Sequence, residues 1–210
     1  MKKAIRSFVA VAVFAAGTAT AQVSGNAVVK CSGEHATLYV SAYTSTADAG
    51  RPGAWYVAAH HPTDLTRVAF LTPLGWREPD RGGFVPYSEH RAGIPASLEV
   101  RACLPQAVHD DYGYATVDLS SCSYTSQHLA GYIVKAGYGV LTPAGEKLVS
   151  SRRERMEVAR PLFEERGKWR TEYDDDEHLR ESLVLKSLRE EHRVADFLVV
   201  PTVHCPEGFH

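Results

Sequence analysis

Paired and clustered polar residues are the places where this chain could do chemistry. His60 and His61 are adjacent and stand between two apolar runs, 54–59 and 68–71. Neighbouring side chains on a strand point to opposite faces. The two imidazoles would therefore share one metal ion only in an irregular turn, and the expectation is a polar turn. His109, Asp110 and Asp111 form a second cluster, in a polar stretch that reads as a solvated loop. His60, His61, His109 and Asp111 are the candidate metal ligands, but the pattern favours no metal at any of them.

Residues 174–178 (DDDEH) are the most acidic run. A calcium loop needs spaced oxygen ligands and a central glycine, and this run has neither. It fits the N-terminus of a helix, where negative charge is favoured. Ser150, Ser151, Arg152, Arg153 and Arg155 concentrate positive charge on another helix and read as a solvated face. The tail from His204 to His210 would suit copper or zinc only if Cys205 were free. No G-x-S-x-G elbow, H-E-x-x-H helix, S-x-x-K, phosphate loop or dinucleotide fingerprint occurs. A catalytic group would have to be assembled from distant loops. The expectation leans away from an enzyme, and no cofactor is expected.

All four cysteines, Cys31, Cys103, Cys122 and Cys205, follow the first 21 residues. Those 21 residues read as an export signal: Lys2, Lys3 and Arg6, an apolar run 8–16, then Ala19-Thr20-Ala21 before a cut after Ala21. An even cysteine count in an exported chain favours two disulfides. Three pairings are open. The preferred one is Cys103–Cys122 as a local bridge and Cys31–Cys205 as a clasp between the chain ends. Closing a loop of about 175 residues restricts the unfolded chain by about 4–5 kcal/mol in the loop-entropy model.

Removing the signal leaves 20 basic against 25 acidic residues, a balance that argues against a nucleic-acid partner. No second segment is long and apolar enough to cross a membrane, so no transmembrane segment is expected after cleavage.

The elements that must position these groups are legible as patterns. Residues 27–31 and 36–43 read as strands. In the second, Leu38, Val40 and Ala42 alternate with Tyr39, Ser41 and Tyr43. The runs 54–59 and 68–71 read as a hairpin. Residues 78–96 read as a long loop with strand character near Phe84 and Val85. Strict alternation returns at 97–103. A polar loop, 106–114, precedes short strands at 115–119 and 131–141. Gly137 and Gly139 suggest a bulge or a close backbone approach. Residues 145–160 read as a helix stopped or kinked by Pro161. A second helix runs from an N-cap at Asp174 to about His192, with a stripe of Leu179, Leu183, Val184, Leu185 and Leu188. Residues 194–203 read as a closing strand, pinned beside the first by the Cys31–Cys205 clasp.

The fold expected is α+β: a β-sandwich-like antiparallel core over about 23–141, a C-terminal helical excursion over about 144–193 and a final returning strand over about 194–205. All would form a single mature domain, 22–210. No named family is recognised in it. The succession GRPGAWYVAA, LTPLGW, VDLSS and GYIVKAGYG, over about 36–140, is similar to β-rich modules of secreted proteobacterial proteins and carries no site.

The function expected is that of an exported periplasmic or cell-surface binding or assembly protein, working with a protein partner in the cell envelope as part of a larger pilus or secretion apparatus. Trp76, Tyr87, Tyr112 and Tyr114, with Tyr43, are the candidate partner contacts. The alternatives are a periplasmic hydrolase, metal-assisted through the histidines above, and a small-ligand or glycan-binding module.

Overall fold

The computed structural model describes residues 23–32, 35–79, 83–104, 107–109, 115–117, 128–202 and 205. The expected signal peptide, Tyr112, Tyr114, Asp111 and Cys122 lie outside the described residues, as does most of the 204–210 tail.

Two antiparallel sheets pack face to face. The smaller has the order β1-β2-β7, from β1 (Ser24–Ser32), β2 (His35–Tyr43) and β7 (Ser97–Cys103). The larger has six strands in the order β11-β10-β3-β4-β5, with β6 also paired to β3. These are β3 (Gly53–His60), β4 (Val68–Thr72), β5 (Gly75–Arg77), β6 (Ser88–His90), β10 (Ile133–Val140) and β11 (Val194–Val199). A separate hairpin joins β8 (Ala107–His109) to β9 (Ala115–Val117). Helices α1 (Pro143–Glu165) and α2 (Glu177–Glu190) intervene between β10 and β11. The architecture is an α+β sandwich-like fold.

Alternation decides what each strand buries. Leu38, Val40 and Ala42 of β2, with Leu98 and Val100 of β7, face Trp55, Val57, Ala59, Val134, Ala136 and Tyr138 of the large sheet in one core. Trp55 meets Tyr138 edge-on at 5.3 Å between ring centroids. Cys31 is disulfide-bonded to Cys205, with Cα atoms 5.4 Å apart across a sequence separation of 174. Cys103 is also disulfide-bonded. The closing strand β11 pairs with β10 in the large sheet and lies against β1 of the small one, ending at Val199 before Pro201. The Cys31–Cys205 bond therefore ties the small sheet to chain just beyond the edge of the large one.

Other boundaries shift for local reasons. The strand expected near Phe84 lies at Ser88–His90, where Ser88 pairs with Trp55 and Glu89 with Ala54. Residues 107–109, read as loop, are strand β8. The β10 irregularity falls between Val134 and Lys135, not at the glycines. Gly137 and Gly139 instead permit close approach: a Cβ at Gly139 would overlap the carbonyl of Val184, and one at Gly137 that of Arg193.

Helix α1 starts at Thr142, whose hydroxyl accepts from the Gly145 N–H at 3.1 Å, with Pro143 in the first turn. It does not stop at Pro161 but continues to Glu165. Proline removes the bond to the carbonyl of Glu157, an exposed residue, so water can satisfy that oxygen. The N-cap of α2 is Asp176, not Asp174, and the Asp175 carboxylate accepts from the Glu177 N–H at 2.8 Å. Val184, Ser187 and Leu188 are buried on the sheet. The Ser187 hydroxyl accepts from the Val140 N–H at 2.8 Å and joins helix to strand.

Candidate functional site

The large sheet has a second, outer face. Ala54, Tyr56, Ala58 and His60 of β3 point to it, opposite Gly139, Gly137, Lys135 and Ile133 of β10. Small residues here let α2 settle onto the sheet, where Val184 and Leu188 pack against Ala54, Tyr56, Leu141 and Val149. The helix covers only part of the face. Two clefts remain, and Tyr56 borders both.

The larger cleft, about 570 Å³, lies over Ala58, His60, Val68 and Phe70, with Leu65, Pro79, Phe84 and Val194 around it. Its wall is mostly aliphatic and aromatic. Leu65, Phe84 and Val194 are exposed, Leu65 at 79 %. Phe84 stacks obliquely on Phe70 at 5.4 Å and carries the Arg189 guanidinium over its ring at 4.6 Å. Lys135 at the border is held by Asp196 at 2.5 Å. Such an open apolar surface, rimmed from three separate elements, is the kind that binds other molecules.

The smaller cleft, about 300 Å³, lies between β6 and the first turns of α2. Its floor is apolar (Pro52, Ala54, Leu141, Val184), and its walls carry Glu89, Arg91, Glu177, Arg180 and Glu181. The hydroxyl of Tyr56 is held well above the usual phenol range. Burial is the main cause, the carboxylates of Glu89 and Glu181 add to it, and Arg189 opposes it.

Among the sequence-derived candidates His60 borders the larger cleft, and His61, Trp76, Tyr87 and Tyr43 do not. His60 ends β3, with Nδ1 3.0 Å from the carbonyl of His61, while the His61 ring lies edge-on to Tyr132 at 5.4 Å. His61 Nδ1 is also 3.2 Å from the Thr63 hydroxyl. The two imidazoles are thus engaged in different surroundings. No cluster of three metal-ligating side chains occurs among the described residues. His109 lies on β8. Trp76 needs correction as a partner contact: it is 1 % exposed, and its indole N–H donates to the Cys103 carbonyl at 2.8 Å. A side chain with no free surface cannot touch a partner, so Trp76 is a core residue joining the two sheets. Tyr87 is half-buried against that core, whereas Tyr43 is exposed.

Two ionic clusters are assembled by the fold. Asp176 is buried and accepts from Arg152 and Arg153, the latter at 3.0 Å, so those arginines tie the two helices together, while Ser150, Arg153 and Arg155 stay exposed to solvent. Asp174 pairs with Arg160. Asp48 and Arg193, 6 % and 4 % exposed, meet at 3.1 Å. Tyr138 donates to the same Asp48 carboxylate at 2.9 Å, and Ser45 at 2.8 Å. Little local in the sequence signals these ion pairs, since Arg160 and Asp174 lie 14 residues apart, Arg153 and Asp176 23, and Asp48 and Arg193 145.

Among the described residues no helix is long and apolar enough to cross a membrane. Comparison with known proteins found no matching family model, no matching curated protein and no matching solved structure.

Proposed function

We propose that the protein is an exported binding module of the cell envelope that engages a protein partner through the apolar cleft on the outer face of the large sheet. The observation that carries this is the cleft itself: about 570 Å³ of mostly apolar wall, left open by α2 and bordered by exposed Leu65, Phe84 and Val194. Export is supported by the basic, apolar and small-x-small succession of residues 2–21 and by the Cys31–Cys205 disulfide, which suits an oxidising compartment. The working place is then the periplasm or the cell surface.

A second reading, a small apolar ligand, is favoured by the cleft volume, which lies in the range of small-molecule pockets. One experiment separates them. A photo-crosslinking residue is placed at Leu65 or Phe84 in the exported protein. A discrete protein adduct, lost in Val68→Glu, supports the partner reading. A small molecule released by denaturing the native protein, and absent from Val68→Glu, supports the second. Neither adduct nor released molecule would sink both. N-terminal sequencing of the exported protein tests the cut: a start at Gln22 is expected.

A further inference from the structure

The charged cleft between β6 and α2 has a chemistry of its own. Arg91 and Glu177 neutralise each other at 3.2 Å. His178 approaches Glu181 at 3.5 Å, but its side chain is almost wholly exposed. Glu89 and Arg180 have no ion pair among the described residues. The cleft is thus left with two carboxylates on facing walls, Glu89 from β6 and Glu181 from α2, against one free guanidinium. Between them stands Tyr56, 7 % exposed, its hydroxyl without a hydrogen bond among the described residues. The Tyr56 ring is buried while its oxygen opens on the cleft without a protein partner among the described residues, so an N–H entering the cleft meets an acceptor there.

We propose that this cleft binds a small organic ammonium, its charge set between Glu89 and Glu181, one N–H donated to the Tyr56 oxygen, and its apolar stem laid on Ala54, Leu141 and Val184. The same two carboxylates that favour a cation here also help keep the Tyr56 proton in place, so the neutral hydroxyl has lone pairs to accept with. Arg180 opposes the cation from the helix wall. The proposal does not depend on the apolar cleft.

The test is amide chemical-shift titration of the protein with its disulfides intact. The probes are n-butylammonium, N-acetyl-lysine methylamide and, as a control, butyrate. Saturable shifts at Glu89, Arg180 and Glu181 are expected with both ammonium probes and not with butyrate. Tighter binding of the lysine derivative assigns the ammonium to a protein side chain, and tighter binding of butylammonium to a free amine. Glu89→Gln with Glu181→Gln should weaken binding by about tenfold or more, and Arg180→Gln should tighten it a few-fold. Tyr56→Phe should weaken it several-fold. Val68→Glu, which closes the other cleft, should leave the shifts in place. Butyrate binding as well as butylammonium, no saturable shift up to about 50 mM ammonium, or unchanged affinity in the double glutamine variant would each overturn the proposal.

Discussion

The two faces of the six-stranded sheet are built from the same strands and end in opposite states. On the inner face Trp55, Val57, Ala59 and Tyr138 are sealed by the small sheet. On the outer face α2 covers Ala54 and Tyr56 but leaves Ala58, His60 and Val68 beside an open cleft. Strand β3 is apolar at both registers, so hydrophobicity alone does not tell the faces apart. What separates them is the size of the cover. A sheet of matching extent closes one face, whereas a 14-residue helix cannot close the other.

Stability should therefore concentrate on the inner side. Cys31→Ser with Cys205→Ser removes the tie between the small sheet and the edge of the large one, and should cost about 4–5 kcal/mol in denaturant unfolding. A loss below about 1 kcal/mol would mean that inner packing alone holds the sheets together. Trp76→Ala, on the inner side, should cost about 4 kcal/mol, while Leu65→Ala at the outer rim should change stability by less than about 0.5 kcal/mol. Similar losses at both sites would erase the distinction between the faces. Asp48→Ala removes the buried one of the two carboxylates on Arg193, leaving Glu191 at 2.7 Å, and should cost about 2 kcal/mol, read from the melting temperature.

The outer face has a pH signature. The folded state holds the Tyr56 proton more tightly than the unfolded chain, whose phenol titrates near 10.0. The contribution is intact below that pH and is lost as pH climbs above it. Tyr56→Phe should flatten the alkaline fall in stability, as followed by circular dichroism. An unchanged slope would place the alkaline sensitivity elsewhere. One effect is a gain. His192 sits at φ 51°, just past the end of α2, and the following Arg193 N–H reaches back to the Leu188 carbonyl at 3.3 Å. This C-terminal cap suits glycine, so His192→Gly should stabilise by about 0.5–1 kcal/mol.

Much of the β-rich layout was legible because it repeats a local rule. Leu38, Val40 and Ala42 against Tyr39, Ser41 and Tyr43 is a period-two pattern, and β2 follows it. The Val184 and Leu188 stripe is a helical period, and α2 buries it. Pro161 does not end α1, because its cost depends on whether the freed carbonyl meets water. The clefts were less legible still. Trp76 and Leu65 lie eleven residues apart in one hydrophobic stretch. One is sealed under the small sheet and the other stands in solvent, a contrast that composition does not carry.

The order of side chains along each strand and helix, the cysteine parity and the glycines that tolerate close approach are properties of the sequence alone, because each depends on neighbours a few residues away. Long-range meetings are different. Asp48 and Arg193 are separated by 145 residues, Arg153 and Asp176 by 23, and Glu89 and Glu181 face each other from a strand and a helix. Only the tertiary structure decided those encounters, along with the part of the outer sheet left bare. Each depends on where whole elements come to rest, and their resting places follow from the packing of every surface at once.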